Sequence, residues 1–339
     1  MTDSFIRSSW SSQDQAFETT LRPQKFSDFV GQKNVLKRLR ILIEAAQKRN
    51  EALGHMLFSG PPGLGKTTLA HIIAKSMNSN LVTTSGPIIE KPADLAGILT
   101  NLKEKDVLFI DEIHRLPKSI EEYLYSAMED FVLDLMIDSG PSARSVQVKL
   151  NPFTLIGATT RHGLLSAPMR SRFLFNARLD YYENDSLEKI ITRSSNLMNI
   201  PVDSNGAKTI ACRSRGTPRI ANNLLRWVRD CAQTQNKTTI TSILAKDALD
   251  MLSIDHLGLD EMDKKILLTI IDHYEGGPVG IQTLGVALSE EALTLAEVHE
   301  PYLIMKGFLK RTLRGREVTK LAYEHLGLKA PSKHHGEKK

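Results

Sequence analysis

Cysteine is nearly absent: Cys212 and Cys231 are the only two in 339 residues, and neither has ligand residues at zinc-like spacing nearby. A disulfide framework is thereby excluded and a zinc site has no support, which leaves two reduced thiols. Long apolar runs are missing too. No stretch approaches the ~20 residues needed to cross a bilayer, so no membrane association is expected. The opening Met1-Thr2-Asp3-Ser4-Phe5 has neither the basic start nor the apolar middle of a secretory signal, and a cytoplasmic location is the expectation. Charge of one sign is scarce overall, with a net +5, but it is unevenly spread. From Pro301 to Lys339 ten Lys/Arg face three Glu, so that end carries +7 and the rest is slightly acidic. A basic surplus confined to one end suits a terminal module that meets a polyanion such as nucleic acid. The length exceeds one ordinary core, and two or three domains of ~100–200 residues are expected.

What is present is organised around Gly60-Pro61-Pro62-Gly63-Leu64-Gly65-Lys66-Thr67-Thr68. This fits the phosphate-loop pattern, with a strand-like run before it (Met56-Leu57-Phe58) and helix formers after it. Glycines let backbone N–H groups close around an anion, and the helix behind adds its positive end. In this reading Lys66 reaches the β- and γ-phosphates of a nucleoside triphosphate, and Thr67 places its hydroxyl on Mg²⁺. The apolar run Val107-Leu108-Phe109-Ile110 then delivers Asp111-Glu112 to the carboxyl end of a strand, the edge where ligands sit in open α/β sheets. Asp111 is expected in the Mg²⁺ shell, and Glu112 as the group that polarises an attacking water. His114, without a second ligand, reads as a hydrogen-bonded structural residue. A further buried strand, Phe153 to Gly157, ends in Ala158-Thr159-Thr160-Arg161, whose hydroxyls can watch a γ-phosphate.

The first twenty residues are polar and read as a loose arm. Leu21-Arg22-Pro23 and the apolar residues after it either hold an adenine base or form a plain loop. A hairpin at about 132–150 either packs as an edge strand on its own domain or stands out as a docking finger, with Leu135, Met136 and Ile137 as its apolar side. Arg170-Ser171-Arg172 is either a solvated loop or the source of a guanidinium aimed at a neighbouring subunit's nucleotide. From 183 to 254 strand signals vanish and helical periodicity dominates. There Thr217 caps a helix beginning at Pro218, and Arg219 sits at the positive helix end, which is unfavourable unless an anion lies beneath. Residues 255–339 suggest a winged helix with a two-stranded ribbon, in which Arg311, Arg314 and Arg316 flank Gly315, followed by a Lys/His-rich tail. The expected divisions are therefore 1–182, 183–254 and 255–339.

Together these stretches are similar to one family, RuvB, the AAA+ ATP-driven motor of Holliday-junction branch migration in bacteria. The resemblance runs from about Leu21 to Leu328. It rests on Leu64 to Ala70, Leu108 to Leu116, Gly157 to Arg161, Arg213 to Asn222 and Gly276 to Gly280. It implies an α/β fold: a parallel-sheet P-loop ATPase core, a small helical lid and a C-terminal winged-helix domain. It further implies that Leu21, Arg22, Tyr182 and Arg219 surround the nucleotide while Gly63, Lys66, Thr67 and Thr68 hold its phosphates. Thr160 would be a first sensor and Arg219 a second. Arg172 would reach into the next subunit's site, approached also by Glu129, Asp130 and Phe131, and Arg311 and Arg316 would touch DNA. The implied partners are DNA in the arms of a Holliday junction, contacted largely without sequence preference, and a RuvA-like protein on the hairpin. A homo-hexameric ring and a RuvC-like resolvase in the larger complex are implied as well. Ser126, Ser171 and Leu313 stand where the family pattern has proline, aspartate and proline, and Ser171 puts in question how the finger arginine is held. Two rivals remain: a clamp-loader-type ATPase, which would carry a helical collar instead of a basic winged helix, and a nucleotide-gated DNA-binding scaffold.

Overall fold

The computed structural model describes residues 19–136 and 145–330. The chain divides into two compact units: one runs up to Ile190 and includes Gly216–Arg219, and the other comprises Ile191–Arg215 and the chain from Ile220 onward.

In the first unit, helix α1 (Lys33–Arg49) buries Val35, Leu36, Leu39, Ile43 and Ala46 at three- and four-residue spacing. Strand β1 (Met56–Ser59) follows, then α2 (Lys66–Ser76), β2 (Leu81–Ser85), α3 (Pro92–Thr100), β3 (Val107–Asp111) and α4 (Lys118–Glu129). Next come a ribbon of β4 (Val132–Met136) and β5 (Ser145–Lys149), then β6 (Thr154–Thr159), the five-residue helix α5 (Ala167–Ser171) and β7 (Phe175–Arg178). Five strands pair in the order β2-β3-β6-β1-β7, every pairing parallel. A parallel sheet is covered on both faces, which explains why β1 and β6 are buried throughout instead of alternating. Leu57, Leu108, Ile110 and Leu155 pack with Leu95, Leu99, Ile120 and Leu124 in one core. Because all five strands point the same way, their carboxyl ends share one edge, with Ser59 opposite Thr159 and Ser85 opposite Asp111.

Among the described residues, the ribbon strands β4 and β5 pair only with each other, antiparallel from Val132–Lys149 to Met136–Ser145. It is therefore no edge extension of the main sheet. Leu133 is buried at its base, while Val146 is exposed. Of the apolar side expected there, Ile137 lies outside the described residues, as do the arm through residue 18 and the tail from residue 331.

Helix α6 (Asn184–Leu197) begins in the first unit and ends in the second, where α7 (Ser204–Arg213), α8 (Pro218–Thr234) and α9 (Ser242–Asp250) follow. Asp203 and Thr241 cap α7 and α9 by accepting the N–H groups of Gly206 and Leu244. The strand-free reading of this stretch holds apart from one bridge, Val202 to Ile240. Beyond it lie α10 (Glu261–Tyr274), α11 (Ile281–Leu288), a helical stretch 292–305 ending in α12 (Glu300–Met305), the ribbon β8 (Leu309–Thr312) and β9 (Gly315–Val318), and α13 (Lys320–His325). Leu267, Ile270, Leu284, Leu303 and Phe308 form its core. Three helices with a ribbon, to which Val279 adds a bridge at Arg316, make a winged helix. Gly315 is required by that bridge: its φ is +144°, and a Cβ there would collide with the Val279 carbonyl.

Candidate nucleotide and DNA sites

The loop between β1 and α2 lies at the carboxyl edge of the sheet's interior strands. Gly63 has φ +77°, and a Cβ on it would stand 2.8 Å from Thr217 Cγ2 and 2.9 Å from Arg219 Cβ, so only glycine fits beneath the segment that carries Arg219. Lys66 is buried, and its ammonium donates to the carbonyls of Gly60 and Pro61 at 2.8 and 2.9 Å. Burial pushes its pKa down, with Asp111 and Glu112 acting the other way. A buried cation whose hydrogen bonds go to neutral oxygens, beside glycine-opened backbone at a helix start, suits an incoming polyphosphate. Thr67 and Thr68 open α2 and are half-buried.

Asp111 ends β3, and burial raises its pKa. Its Oδ1 accepts the N–H of Glu112 at 3.0 Å. Glu112 takes a left-handed conformation, φ 46° and ψ 46°, that turns the chain out of the strand. Its Oε2 accepts the Thr160 hydroxyl at 3.1 Å. His114 Nδ1 lies 3.1 Å from the same oxygen and 2.9 Å from Thr159 Oγ1. A carboxylate only accepts, so the contact calls for the proton on Nδ1; burial lowers the ring's pKa, with Glu112 acting the other way. His114 is hydrogen-bonded, as expected, and one of its contacts is the candidate base. DEIH spacing alone carries no sign of it, because the contact depends on a short helical turn, Ile113–Arg115, folding back beside β6.

Of the residues expected around the base, Tyr182 and Arg219 meet this loop. Leu21 is buried, and Arg22 acts electrostatically on His71 of α2. Tyr182 donates its hydroxyl to Leu64 O at 3.0 Å, and burial lifts its phenol pKa well above the ordinary range. Arg219 faces Lys66 and Asp111 closely enough to influence both.

Arg172 caps the C-terminus of α5. Its Nη2 pairs with Glu129 Oε2 at 2.9 Å, its Nη1 donates to Pro168 O at 2.9 Å, and its guanidinium lies 4.3 Å from the Tyr125 ring centroid. Asp130 is exposed beside this group. The Phe131 ring packs against its own core, 5.9 Å from Phe153 and 6.3 Å from His55. In the winged helix, Lys310, Arg311 and Arg314 are exposed and Leu313 projects fully at the ribbon tip. Arg316 sits differently from Arg311. It is buried and forks onto Glu300, Nε to Oε1 at 3.2 Å and Nη2 to Oε2 at 3.0 Å, because β9 turns this side chain onto α12.

Family models match the chain almost end to end: the Holliday junction DNA helicase RuvB P-loop domain over residues 21–179, the RuvB AAA lid domain over 182–255 and the RuvB C-terminal winged helix domain over 256–327. The chain belongs to the RuvB family. It is 63% identical over 326 residues to the Holliday junction branch migration complex subunit RuvB of Protochlamydia amoebophila, covering 96% of this chain and 98% of that one. The Flavobacterium johnsoniae protein of the same description is 58% identical, covering 94% of each. Among solved structures, the Thermotoga maritima RuvB Holliday junction branch migration motor superposes with a TM-score of 0.84 at 51% identity, covering 92% of this chain and 100% of that one. The RuvB winged-helix match also removes the clamp-loader rival, which called for a collar at that place.

Proposed function

We propose that this RuvB-family chain is an ATP-driven DNA translocase that migrates Holliday junctions, acting as a ring of identical subunits with a RuvA-like partner. The chain is an AAA+ P-loop ATPase, and its relatives are named as subunits of the branch migration complex. The observation that carries the motor reading is Glu112 on the P-loop edge, hydrogen-bonded to Thr160 and close enough to Lys66 to affect its titration. A carboxylate so placed makes the site hydrolytic instead of merely nucleotide-gated. Lys66, Thr68 and the loop N–H groups bind the phosphates, Leu21, Arg22 and Tyr182 enclose the base, and Arg219 senses the γ-phosphate from its helix start. Thr67 and Asp111 would hold Mg²⁺, which would supply positive charge against the phosphates. Arg172 serves the neighbouring subunit's site, with Glu129 and Asp130 beside it. The working divisions are an ATPase domain to residue 182, a lid over 183–254 and a DNA-binding head from 255, in a cytoplasmic protein. The 132–150 ribbon, separate from the main sheet, receives the RuvA-like partner, and a RuvC-like resolvase joins the larger assembly. Lys66→Ala is expected to abolish ATP turnover and ATP-dependent DNA movement together, measured by phosphate release and junction dissociation. Normal turnover by that variant would remove the site assignment.

A further inference from the structure

Ser171, next to Arg172, carries no charge, and its hydroxyl donates to Pro168 O at 2.9 Å. The carboxylate paired with Arg172, Glu129, is more than half exposed, so that pairing is screened by water and salt. The Pro168 carbonyl restrains one terminal nitrogen. What confines the plane of the guanidinium is the face of Tyr125, 4.3 Å from it, which leaves the arginine side chain only 19% exposed. A planar cation on an aromatic face is held in orientation as well as in place. Arg172 Nε, buried and without a hydrogen-bond partner among the described residues, remains an unspent donor on that held group.

Tyr125 is itself fixed from behind. Its hydroxyl donates to Glu121 Oε2 at 3.0 Å and lies 3.0 Å from Ser166 Oγ. Ser166 Oγ donates to the same Glu121 oxygen at 2.6 Å and accepts the N–H of Met169 at 3.3 Å as the cap of α5. Glu121 is 5% exposed and stands one turn before Tyr125 on α4. One buried carboxylate therefore ties the ring on α4 to the start of the short helix that ends at Arg172. A five-residue helix has little stability of its own, and this link fixes where its last residue points.

We infer that Tyr125 is the positioning residue of the finger: clamped by Glu121 and Ser166, it pre-orients Arg172 for the nucleotide of the neighbouring copy. The inference rests on the reading of Arg172 as acting between subunits. Holding the guanidinium before reaction removes an ordering cost from the step it assists. Tyr125→Leu removes the aromatic face, whereas Tyr125→Phe keeps it and loses only the hydroxyl clamp.

The test is ATP turnover by the full chain, alone and in mixed assemblies. Tyr125→Leu is expected to lower kcat by up to roughly 10²-fold with little change in KM, against ~10³–10⁵-fold for Arg172→Ala. Tyr125→Phe should recover most of the turnover, and Glu121→Gln, which touches no part of the finger, should lower kcat by a smaller factor in the same direction. Mixing supplies the readout that a role in folding would not move. A Lys66→Ala subunit has a dead site but an intact finger, so added to Tyr125→Leu it should restore turnover, as it should for Arg172→Ala. Restoration of Arg172→Ala but not of Tyr125→Leu would overturn the inference. Restoration of neither would overturn the inter-subunit reading beneath it, and the inference with it. A Tyr125→Phe variant as slow as Tyr125→Leu would also contradict it.

Discussion

Glu112 pays for its position with backbone strain, since a left-handed φ of 46° is uncommon outside glycine. That turn lets the carboxylate meet Thr160 and His114 at once. Glu112→Gln keeps the shape and the hydrogen bonds but removes the base, so ATP binding should survive while hydrolysis falls by ~10²–10⁴-fold, read by nucleotide titration beside phosphate release. Binding lost in step with turnover would contradict that role. His114→Ala frees one side of the carboxylate and should cost about tenfold in kcat with KM nearly unchanged; an unaltered kcat would return His114 to a packing role. At this scale the sequence was most informative where chemistry and spacing coincide. Lys66, Thr67, Asp111, Glu112 and Thr160 were legible because a P-loop and two strand ends must converge in a parallel sheet. The settings of His114, Phe131 and Arg316 were not legible, because each depends on how a short segment packs, which residue type alone does not encode.

Elements were legible from periodicity, but the charged groups that join them were not. Arg215, Asp263 and His299 lie far apart in sequence yet form one buried cluster: Arg215 Nη1 is 3.1 Å from Asp263 Oδ2, and His299 Nδ1 is 2.8 Å from Asp263 Oδ1. Asp260 and Asp263 also exchange hydrogen bonds with each other's backbone N–H groups as the capping box of α10. Removing one member of such a cluster strands the others away from water. Asp263→Ala is therefore expected to destabilise the second unit by ~3–5 kcal/mol, measured by urea denaturation, whereas a change within experimental error would mean that water reaches the cluster. The ribbon separates two kinds of basic residue. Arg311→Ala should weaken DNA binding evenly across sequences and flatten its salt dependence by about one phosphate contact. Arg316→Ala should instead lower stability, because it leaves Glu300 buried without its partner.

For the whole molecule, pH acts through groups whose titration differs between folded and unfolded chains. Burial holds the His55 pKa below its ordinary value; its Nδ1 accepts the N–H of Leu155 at 2.9 Å, and its Nε2–H donates to Met128 O at 3.0 Å. The unfolded chain therefore binds the extra proton first, and this stability is lost as pH falls below the ordinary histidine value of about 6.5. Burial opposes charge on Asp263, but Arg215 and His299 outweigh it and lower its pKa. Its contribution is complete above the ordinary aspartate value of about 4 and disappears as pH drops through its lower folded value. Asp260, raised by burial and by Asp263, offsets part of this. Urea midpoints should fall between pH 7.5 and 5.5, and His55→Gln should reduce that slope; an equal slope would remove His55 from the account.

The broad architecture was legible because three signals differ in kind: buried parallel strands, a strand-free helical stretch and a basic terminal ribbon. The compact units cut across that sequence order, since Gly216–Arg219 packs with the ATPase core between two stretches of the other unit. That excursion follows from Arg219 and Thr217 closing over Gly63, a contact no local pattern announces. The central claim is that hydrolysis at this edge drives movement of branched DNA. Its most direct test is ATP-dependent dissociation of a synthetic four-way junction by the full chain with a RuvA partner, beside Glu112→Gln. Dissociation that needs ATP and partner and is absent in the variant is the expected result; ATP turnover that leaves the junction intact with a competent partner would contradict that coupling.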